Sequence, residues 1–262
     1  MRTTRPANPA SRYERKREHR GRGLADLERR VGNVRAEIDA RLARQDVVRV
    51  LELGCGFGMA LLDLVAHYGE RVQTVGITQL RSDADRDVQH REAARRSIAP
   101  GTHLPAIAVA DVSRGFPFAD DAFDLIVSQV AWQYFAGKAR VLREAMRVLS
   151  PSGIALIDAD EVERRLPGEY ARLVEIWHDG RLLTFGDYLL QAGGSLAEAP
   201  DGTYVRAGKC ASLGAHLTPL FEIDLADIHA GWDGVKCVYD YRPPSAGATT
   251  PSATSASIAA SS

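Results

Sequence analysis

Apolar residues recur at two different spacings along the chain, and the change in spacing separates helices from strands. Between residues 24 and 44 they stand three and four positions apart, at Leu24, Leu27, Val31, Val34, Ile38 and Leu42. This spacing places all six on one face of a helix, so a single amphipathic helix is predicted over residues 24–44. Residues 47–54, VVRVLELG, are instead a short run of Val and Leu that ends in glycine, as is typical of a buried strand.

The same alternation of strand and helix continues to about residue 158. It predicts further strands over residues 72–77, 104–111, 123–130 and 153–159, and helices over residues 59–69, 79–98 and 138–149. Strands that alternate with helices form βαβ units, in which neighbouring strands run parallel. The predicted fold class is therefore α/β with a mostly parallel sheet.

The pattern is less regular after residue 160. A helix is predicted from Glu161 to His178, and residues 180–214 have mixed periodicity that supports no assignment. Two closing elements are expected over residues 216–228 and 234–242, the second with the alternation of an antiparallel edge strand. Residues 243–262 consist of small and polar residues with proline and a single Ile and carry no charge, so a disordered tail is predicted.

Composition and charge narrow the class of protein. Of 262 residues, 45% are hydrophobic and 26% charged, as in ordinary globular domains, and no apolar run approaches the roughly 20 residues that cross a bilayer. The three cysteines, Cys55, Cys210 and Cys237, have neither disulfide-framework nor metal-site spacing, which favours a reducing cytoplasm. Residues 1–23 form a basic leader without the apolar stretch of a secretory signal.

The net charge of −1 conceals an asymmetry between the leader and the rest of the chain. Residues 1–30 hold ten Arg or Lys against four acidic residues, a net charge of +6, so the remainder carries −7. Such an arm suits nucleic acid, an anionic substrate or the protein's own acidic body. A solvated, mobile leader accounts for the same composition.

The segment with the most chemical information runs from Glu52 to Gly58, ELGCGFG. A strand that ends in alternating glycines before a helix lets the backbone approach a ligand closely, and dinucleotide, phosphate and nucleoside sites all use such a loop. The dinucleotide fingerprint needs a glycine where Met59 stands, and no Gly-Lys-Ser/Thr follows for a P-loop. The carboxyl group of Glu52 favours a cationic ligand over a pyrophosphate.

Residues 50–58 resemble the first motif of the class I S-adenosylmethionine-dependent methyltransferases. The similarity continues through residues 108–135 and 139–157, with agreement in order and spacing over residues 47–158. The resemblance implies a Rossmann-like, doubly wound, mostly parallel seven-stranded sheet with one antiparallel strand. It also implies one methyltransferase domain over residues 24–242, in which residues 160–235 form an acceptor-covering insertion.

The resemblance further implies S-adenosylmethionine as the cofactor and assigns its binding residues one by one. They are Glu52, Gly54, Cys55, Gly56 and Gly58 for the methionine portion, Thr78 and Gln79 for the ribose, Asp111 and Val112 for adenine, and Ser128, Gln129 and Val130 beneath the donor. The chain departs from the family at Thr78, where Asp or Glu is usual. Restoring an acid with Thr78→Asp is therefore expected to tighten donor binding.

Three residues are candidates for catalysis. Methyl transfer needs mainly alignment, and a general base only when the acceptor is a hydroxyl or a protonated amine. His178 is the first choice for that base, Tyr134 follows the fourth strand into the expected crevice, and Asp158 follows the fifth. The alternatives are core or lid packing for the aromatic residues near Tyr134 and a solvated helix start for the acids after residue 157. No histidine has metal-ligand spacing, so no metal is expected.

The leading functional hypothesis is methylation of a small molecule, at oxygen or nitrogen rather than carbon. The preference for Arg over Lys and the many alanines are typical of high-GC bacterial genomes, which favours biosynthesis in specialised metabolism. An RNA or protein methyltransferase that uses the basic leader and a donor-binding module that does not methylate are the alternatives. Neither nucleic acid nor a membrane is the expected partner, and a homodimer is compatible with the sequence.

Overall fold

The computed structural model describes residues 22–135, 137–158, 174–192, 194–221 and 237–243. The strands in these residues are β1 Val48–Leu53, β2 Val72–Thr78, β3 Ala106–Val109, β4 Phe123–Ser128, β5 Leu149–Asp158, β6 Val174–His178, β7 Arg181–Leu183, β8 Ser195–Ala199, β9 Gly202–Gly208, β10 Leu217–Phe221 and β11 Cys237–Tyr241. The α-helices are α1 Leu24–Val31, α2 Val34–Leu42, α3 Met59–Tyr68, α4 Arg86–Arg95, α5 Lys138–Val148 and α6 Phe185–Gln191.

The main sheet has seven strands in the order β3-β2-β1-β4-β5-β9-β8. Strands β1 to β5 pair in parallel with one another. Strand β9 pairs antiparallel with both β5 and β8, so it alone runs against the other six. The predicted α/β class, with a mostly parallel seven-stranded sheet and one antiparallel strand, is confirmed.

Both faces of this sheet are covered. Val50 belongs to a hydrophobic cluster with side chains of α1, α2 and α3, whereas its neighbour Leu51 belongs to a second cluster with side chains of α5. Since successive residues of a strand point to opposite faces, the two clusters lie on opposite sides of β1. This burial on both faces explains why the central strands read as continuous apolar runs.

The helix predicted over residues 24–44 is two helices, α1 and α2. Gly32 has a φ of 79°, which ends α1, and the side chain of Asn33 accepts a hydrogen bond from the Ala36 N–H at 2.9 Å, which caps α2. Val31 and Val34, on either side of the break, are both fully buried. The apolar periodicity was therefore correct about burial but did not reveal the break.

A second sheet, in the order β10-β11-β6-β7, corrects two predictions for the last third of the chain. The residues at the end of the predicted helix 161–178 form β6, which pairs with β11 and β7. The predicted edge strand over residues 234–242 contains β11, which lies inside the sheet between β10 and β6. Pairing with strands distant in sequence decided both outcomes, and local patterns do not contain that information.

Other predictions fall outside the described part of the chain. Residues 159–173, residues 1–21 of the leader and residues 244–262 of the tail are in this group. Residues 180–214, which the sequence left unassigned, hold β7, α6 and the β8–β9 hairpin. Among the described helices, none combines the length and apolar character needed to traverse a bilayer.

The burial of α1 predicts that this helix is part of the stable core. Leu27 on α1 is fully buried, so Leu27→Ala should lower the free energy of unfolding by about 2–5 kcal/mol in urea titrations. Leu190→Ala on α6 is the matched control, because Leu190 is 56% exposed and its truncation should change stability by less than about 0.5 kcal/mol. Equal effects of the two substitutions would contradict the packing of α1 on the sheet.

Candidate functional site

Three glycines carry the chain from β1 into α3. Gly54, Gly56 and Gly58 have φ values of 72°, 53° and 72°, a region that residues with side chains rarely adopt. A Cβ on Gly54 would overlap the side chain of Ala131, whereas a Cβ on Gly56 would meet no atom of the described residues within 4 Å. The loop therefore packs tightly at Gly54 and faces open space at Gly56, where a ligand can approach the backbone.

Cys55 connects this loop to β2 through a backbone hydrogen bond and side-chain packing. Its N–H donates to the carbonyl oxygen of Ile77 at 3.0 Å, and its thiol occupies the space that a Cβ on Gly76 would need. Burial raises the pKa of the Cys55 thiol well above its usual value, so the thiolate is disfavoured. Cys55 thus acts in packing and is unsuited to nucleophilic catalysis.

Glu52 and Gln129 form a buried polar pair at the carboxyl ends of β1 and β4. The Gln129 amide donates from Nε2 to Glu52 Oε1 at 3.3 Å, and the same nitrogen lies 3.5 Å from the carbonyl oxygen of Arg22. Glu52 Oε2 and Gln129 Oε1 have no hydrogen-bond partner among the described residues. Burial, as the largest cause, raises the pKa of Glu52 to about 8. Because buried polar atoms are normally paired, these two oxygens are candidate acceptors for a ligand that donates hydrogen bonds.

The end of β2 holds an acid that the sequence analysis missed. The Thr78 hydroxyl donates to Asp83 Oδ2 at 2.8 Å, and both side chains are buried. Asp83 lies in the short 3₁₀ helix Arg81–Ala84, whereas Gln79 is exposed. The segment RSDADRD alternates acidic and other small or polar residues, so no local pattern distinguishes the buried Asp83 from its exposed neighbours.

Asp111 follows β3 and borders a cavity of about 470 Å³. Its carboxylate accepts a hydrogen bond from the Ser113 N–H at 2.8 Å, and Arg114 Nε lies 3.4 Å from Oδ2. The far wall of the cavity carries Arg140 and Glu144 of α5, and Val112 is buried beside it. Asp111 thus borders a recess lined by both charged and apolar residues, with Oδ1 bound by the backbone and Oδ2 near Arg114.

The residues after β4 make a sharp turn against the glycine loop. Ser128 Oγ donates to the Leu53 carbonyl oxygen at 3.1 Å. Val130 has a φ of 59°, and the Gln129 carbonyl oxygen accepts from the Ala131 N–H at 2.5 Å. The structure thereby brings the predicted donor-binding residues of β1 and β4 into contact.

The three predicted catalytic residues lie in different surroundings. Asp158 is buried at the end of β5, where Oδ2 accepts from Val130 N at 3.0 Å and from Arg30 Nη1 at 3.1 Å. His178 is in the second sheet, with Nδ1 3.2 Å from the Tyr241 carbonyl oxygen and Nε2 3.4 Å from Asp179 Oδ2. The structure therefore connects Asp158 to α1 and to the turn after β4, and gives His178 contacts within another sheet.

The segment Ala131–Tyr134 is a 3₁₀ helix, and Tyr134 is its last residue. Its Trp132 is 2% exposed and packs against the rings of Phe135 and Phe185 at centroid distances of 5.8 and 5.2 Å. For Trp132, core packing is therefore the observed role. Within the described ranges, no three His, Cys, Asp or Glu side chains are grouped to hold a metal ion.

Comparisons with known proteins agree with this geometry. A family model described as a methyltransferase domain matches residues 51–157. The glycine/sarcosine/dimethylglycine N-methyltransferase of Actinopolyspora halophila is 32% identical over 109 residues, 41% of this chain and 18% of that protein. The sarcosine/dimethylglycine N-methyltransferase of Halorhodospira halochloris is 29% identical over 131 residues, 50% and 43% of the two chains.

A third relative is the malonyl-[acyl-carrier protein] O-methyltransferase of Halorhodospira halophila. It is 31% identical over 153 residues, 55% of this chain and 48% of that protein. The chain thus spans less than half the length of each of these curated relatives. Residues 51–157, which run from β1 to β5 and include the glycine loop, belong to the class I S-adenosylmethionine-dependent methyltransferase family.

Proposed function

We propose that this protein transfers a methyl group from S-adenosylmethionine to the nitrogen or oxygen of a small molecule. The observation that carries the proposal is the pair of buried oxygens on Glu52 and Gln129, which have no partner among the described residues and lie at the end of the strand that leads into the open glycine loop. S-adenosylmethionine has an ammonium group, a hydrogen-bond donor that matches two such acceptors. Gly54, Gly56 and Gly58 would line its methionine portion.

Ammonium binding would also change the protonation state of Glu52. A buried carboxyl with a pKa of about 8 holds its proton at neutral pH while no cation is near. A cation next to it favours the ionised form, and the resulting charge-assisted hydrogen bonds are stronger than neutral ones. The Arg22 carbonyl oxygen, 3.5 Å from the Gln129 amide nitrogen, would be a further acceptor at the edge of this group.

The nucleoside would be held by the ends of β2 and β3. Asp83, with Thr78, would supply the acid that the family usually carries on strand two, and Asp111 with Val112 would bind adenine. Gln79, which is exposed, would contribute from the rim. Asp83 reverses the expectation for Thr78→Asp, because a second carboxylate in place of the hydroxyl, which lies 2.8 Å from Asp83, would be repelled in a buried environment.

The chemical step would require little from the side chains beyond alignment. When bound, S-adenosylmethionine supplies an electrophilic methyl group and its own thioether leaving group, so a single in-line displacement suffices. The protein would orient the acceptor over the carboxyl ends of β4 and β5 and exclude water. Asp158 is already engaged by Arg30 and Val130, which leaves His178 and Tyr134 as the proposed groups to accept a proton from the acceptor.

The choice of nitrogen or oxygen rests on the three relatives described above. Two of them are named for N-methylation of glycine derivatives and one for O-methylation of a malonyl group. All three acceptors are small groups, and one is carried on a protein.

The decisive experiment incubates the protein with labelled S-adenosylmethionine and a host extract and identifies the labelled product by mass. Tight donor binding without any labelled product would favour a donor-binding module.

Substitution of Gly56 tests the position of the donor. Gly56→Val places a branched side chain in the open space beside the loop, and S-adenosylhomocysteine should bind at least about tenfold more weakly in calorimetry. Gly69→Val is the matched control, since Gly69 also has a positive φ of 59° and no described atom within 4 Å of where a Cβ would stand, but follows the far end of α3. If both variants are folded and bind equally well, the donor does not lie on the glycine loop.

The raised pKa of Glu52 predicts a pH dependence of donor binding. Below pH 8 the ligand-free protein must release the Glu52 proton to pair with the ammonium, so affinity should rise with pH by up to about tenfold per unit between pH 6 and 8. Calorimetry in buffers of different ionisation enthalpy should detect one released proton at pH 7. Glu52→Gln should bind weakly and lose this dependence, and an unchanged pH profile in that variant would contradict the ion pair.

The same group affects stability in the ligand-free protein. The folded pKa of Glu52 lies above the unfolded one, so the folded state binds more protons and the free energy of unfolding should fall as pH rises from about 4.5 to 8. Glu52→Gln should remove this decrease and stabilise the protein at pH 8 by roughly 1–3 kcal/mol. Urea titrations at pH 5 and pH 8 provide the measurement.

Asp83 is testable by its effect on the nucleoside half of the donor. Asp83→Ala should weaken binding of S-adenosylhomocysteine roughly 5- to 150-fold, because a buried hydroxyl partner is left unpaired and a ligand contact is lost. Asp87→Ala removes an equal charge from an exposed position in the same segment and should leave affinity unchanged. Thr78→Asp should also weaken binding, and a tighter complex in that variant would show that Asp83 does not serve the donor.

A further inference from the structure

The turn after β4 contains the most strained residue near the candidate site. Val130 has φ and ψ of 59° and −30°, although it is β-branched, and the turn closes through the 2.5 Å hydrogen bond from Ala131 N to the Gln129 carbonyl oxygen. Such a conformation is a genuine outlier for valine and persists only where the surroundings enforce it. The turn therefore needs an anchor.

Asp158 is that anchor. Its Oδ2 accepts from Val130 N at 3.0 Å, and β5 pairs with β4 in a register that sets Ile157 opposite Ser128, which brings Asp158 alongside the turn. Arg30 of α1 donates from Nη1 to the same oxygen at 3.1 Å. The carboxylate is 2% exposed and Arg30 12%, so the anchor is a buried ion pair between α1 and β5.

The other side of the same turn contacts the proposed donor site. Gln129, just before Val130, donates to Glu52, and Ala131, just after it, occupies the space next to Gly54. If Val130 relaxed to an ordinary conformation, both neighbours would shift, which would disturb the Gln129–Glu52 pair and the contact of Ala131 with Gly54. The conformation of Val130 is thus coupled to the shape of the donor pocket.

We propose that Asp158 is a positioning residue, which holds Val130 in its strained positive-φ conformation and so keeps Gln129 and Ala131 in place for the donor. It acts through the backbone of the turn and exchanges no proton with the acceptor. The inference rests on the proposed function only in that S-adenosylmethionine is the donor. If the inference is correct, donor binding requires Asp158 when position 130 is valine but not when it is glycine.

The test is a double-mutant cycle read by binding of S-adenosylhomocysteine. Asp158→Ala alone should weaken binding about tenfold or more, since the strain at Val130 is no longer held. Asp158→Asn keeps an acceptor oxygen for the Val130 N–H and should bind within about threefold of the parent. Val130→Gly adopts positive φ without strain, so adding Asp158→Ala to it should weaken binding by no more than about threefold.

Asp124→Ala is the control for loss of a buried, ion-paired carboxylate. Asp124 lies near the start of β4, pairs with Arg49 and is remote from the turn, so this variant should lose stability but not donor affinity. If Asp158→Ala does not fold, Asp158→Leu replaces it in both backgrounds, because it refills the buried volume without an acceptor. Urea titrations of every variant separate stability from affinity.

Two results would overturn the inference. One is parental affinity in the Asp158→Ala variant. The other is an equal loss of affinity on removing Asp158 from the parent protein and from the Val130→Gly variant. Failure of the parent protein to bind S-adenosylhomocysteine would instead refute the proposed function. The inference is supported if Asp158→Ala lowers the affinity for S-adenosylhomocysteine in the parent protein and has little effect in the Val130→Gly variant.

Discussion

Two contacts that leave no room for a side chain hold the carboxyl ends of the central strands together. Ala131 lies where a Cβ of Gly54 would be, and the Cys55 thiol lies where a Cβ of Gly76 would be. The first contact joins the glycine loop to the turn after β4, and the second joins it to β2. Because both positions are glycine, three strand ends converge on one loop, and the polar side chains they carry come within reach of a single ligand.

The buried carboxyl groups at the two ends of the central strands have pKa values that are shifted in opposite directions. Near the amino end of β4, Asp124 accepts hydrogen bonds from Arg49, Gln45 and Ser150. Burial alone would raise the pKa of Asp124, but the hydrogen bonds from Arg49 outweigh it and the pKa is lowered. At the carboxyl end, Glu52 accepts from the Gln129 amide alone among the described residues, and burial raises its pKa. The first arrangement is complete in itself, whereas the second leaves Glu52 Oε2 without a partner among the described residues, as the proposed ammonium site requires.

The second sheet is attached to the segment that follows the site. The Lys138 backbone N–H donates to the Tyr239 hydroxyl at 2.7 Å, and its ammonium donates to the carbonyl oxygens of Trp132 and Phe135. The same ammonium lies 5.2 Å from the centre of the Trp132 ring. One residue at the start of α5 therefore links the 3₁₀ helix that follows β4, and Phe135 after it, to β11 in the second sheet.

The local sequence determined the elements in which apolar residues recur at the spacing of a helix or a buried strand. The Val and Leu run before Gly54, the periodicity of α5 and the order of β1 to β5 were all predictable, because burial on both faces of a sheet or on one face of a helix leaves a period in the sequence. The glycine loop and Glu52 were also visible in the local sequence, since alternating glycines between a strand and a helix are typical of a ligand-binding loop and Glu52 stands two residues before the first of them.

Tertiary structure decided the elements and side-chain contacts that depend on residues distant in the chain. Whether residues 174–178 form a helix or β6 depended on β11, about sixty residues later. Gly32 divided a continuous apolar stripe into α1 and α2, although both halves pack in the same hydrophobic cluster. Asp83 became a buried partner of Thr78 through the path of the chain after β2, which no spacing records. Asp158 contacts Arg30 and Val130 because the ends of α1, β4 and β5 meet. Hydrogen bonds between such distant segments produce no periodic pattern in the local sequence, so the sequence could not reveal them.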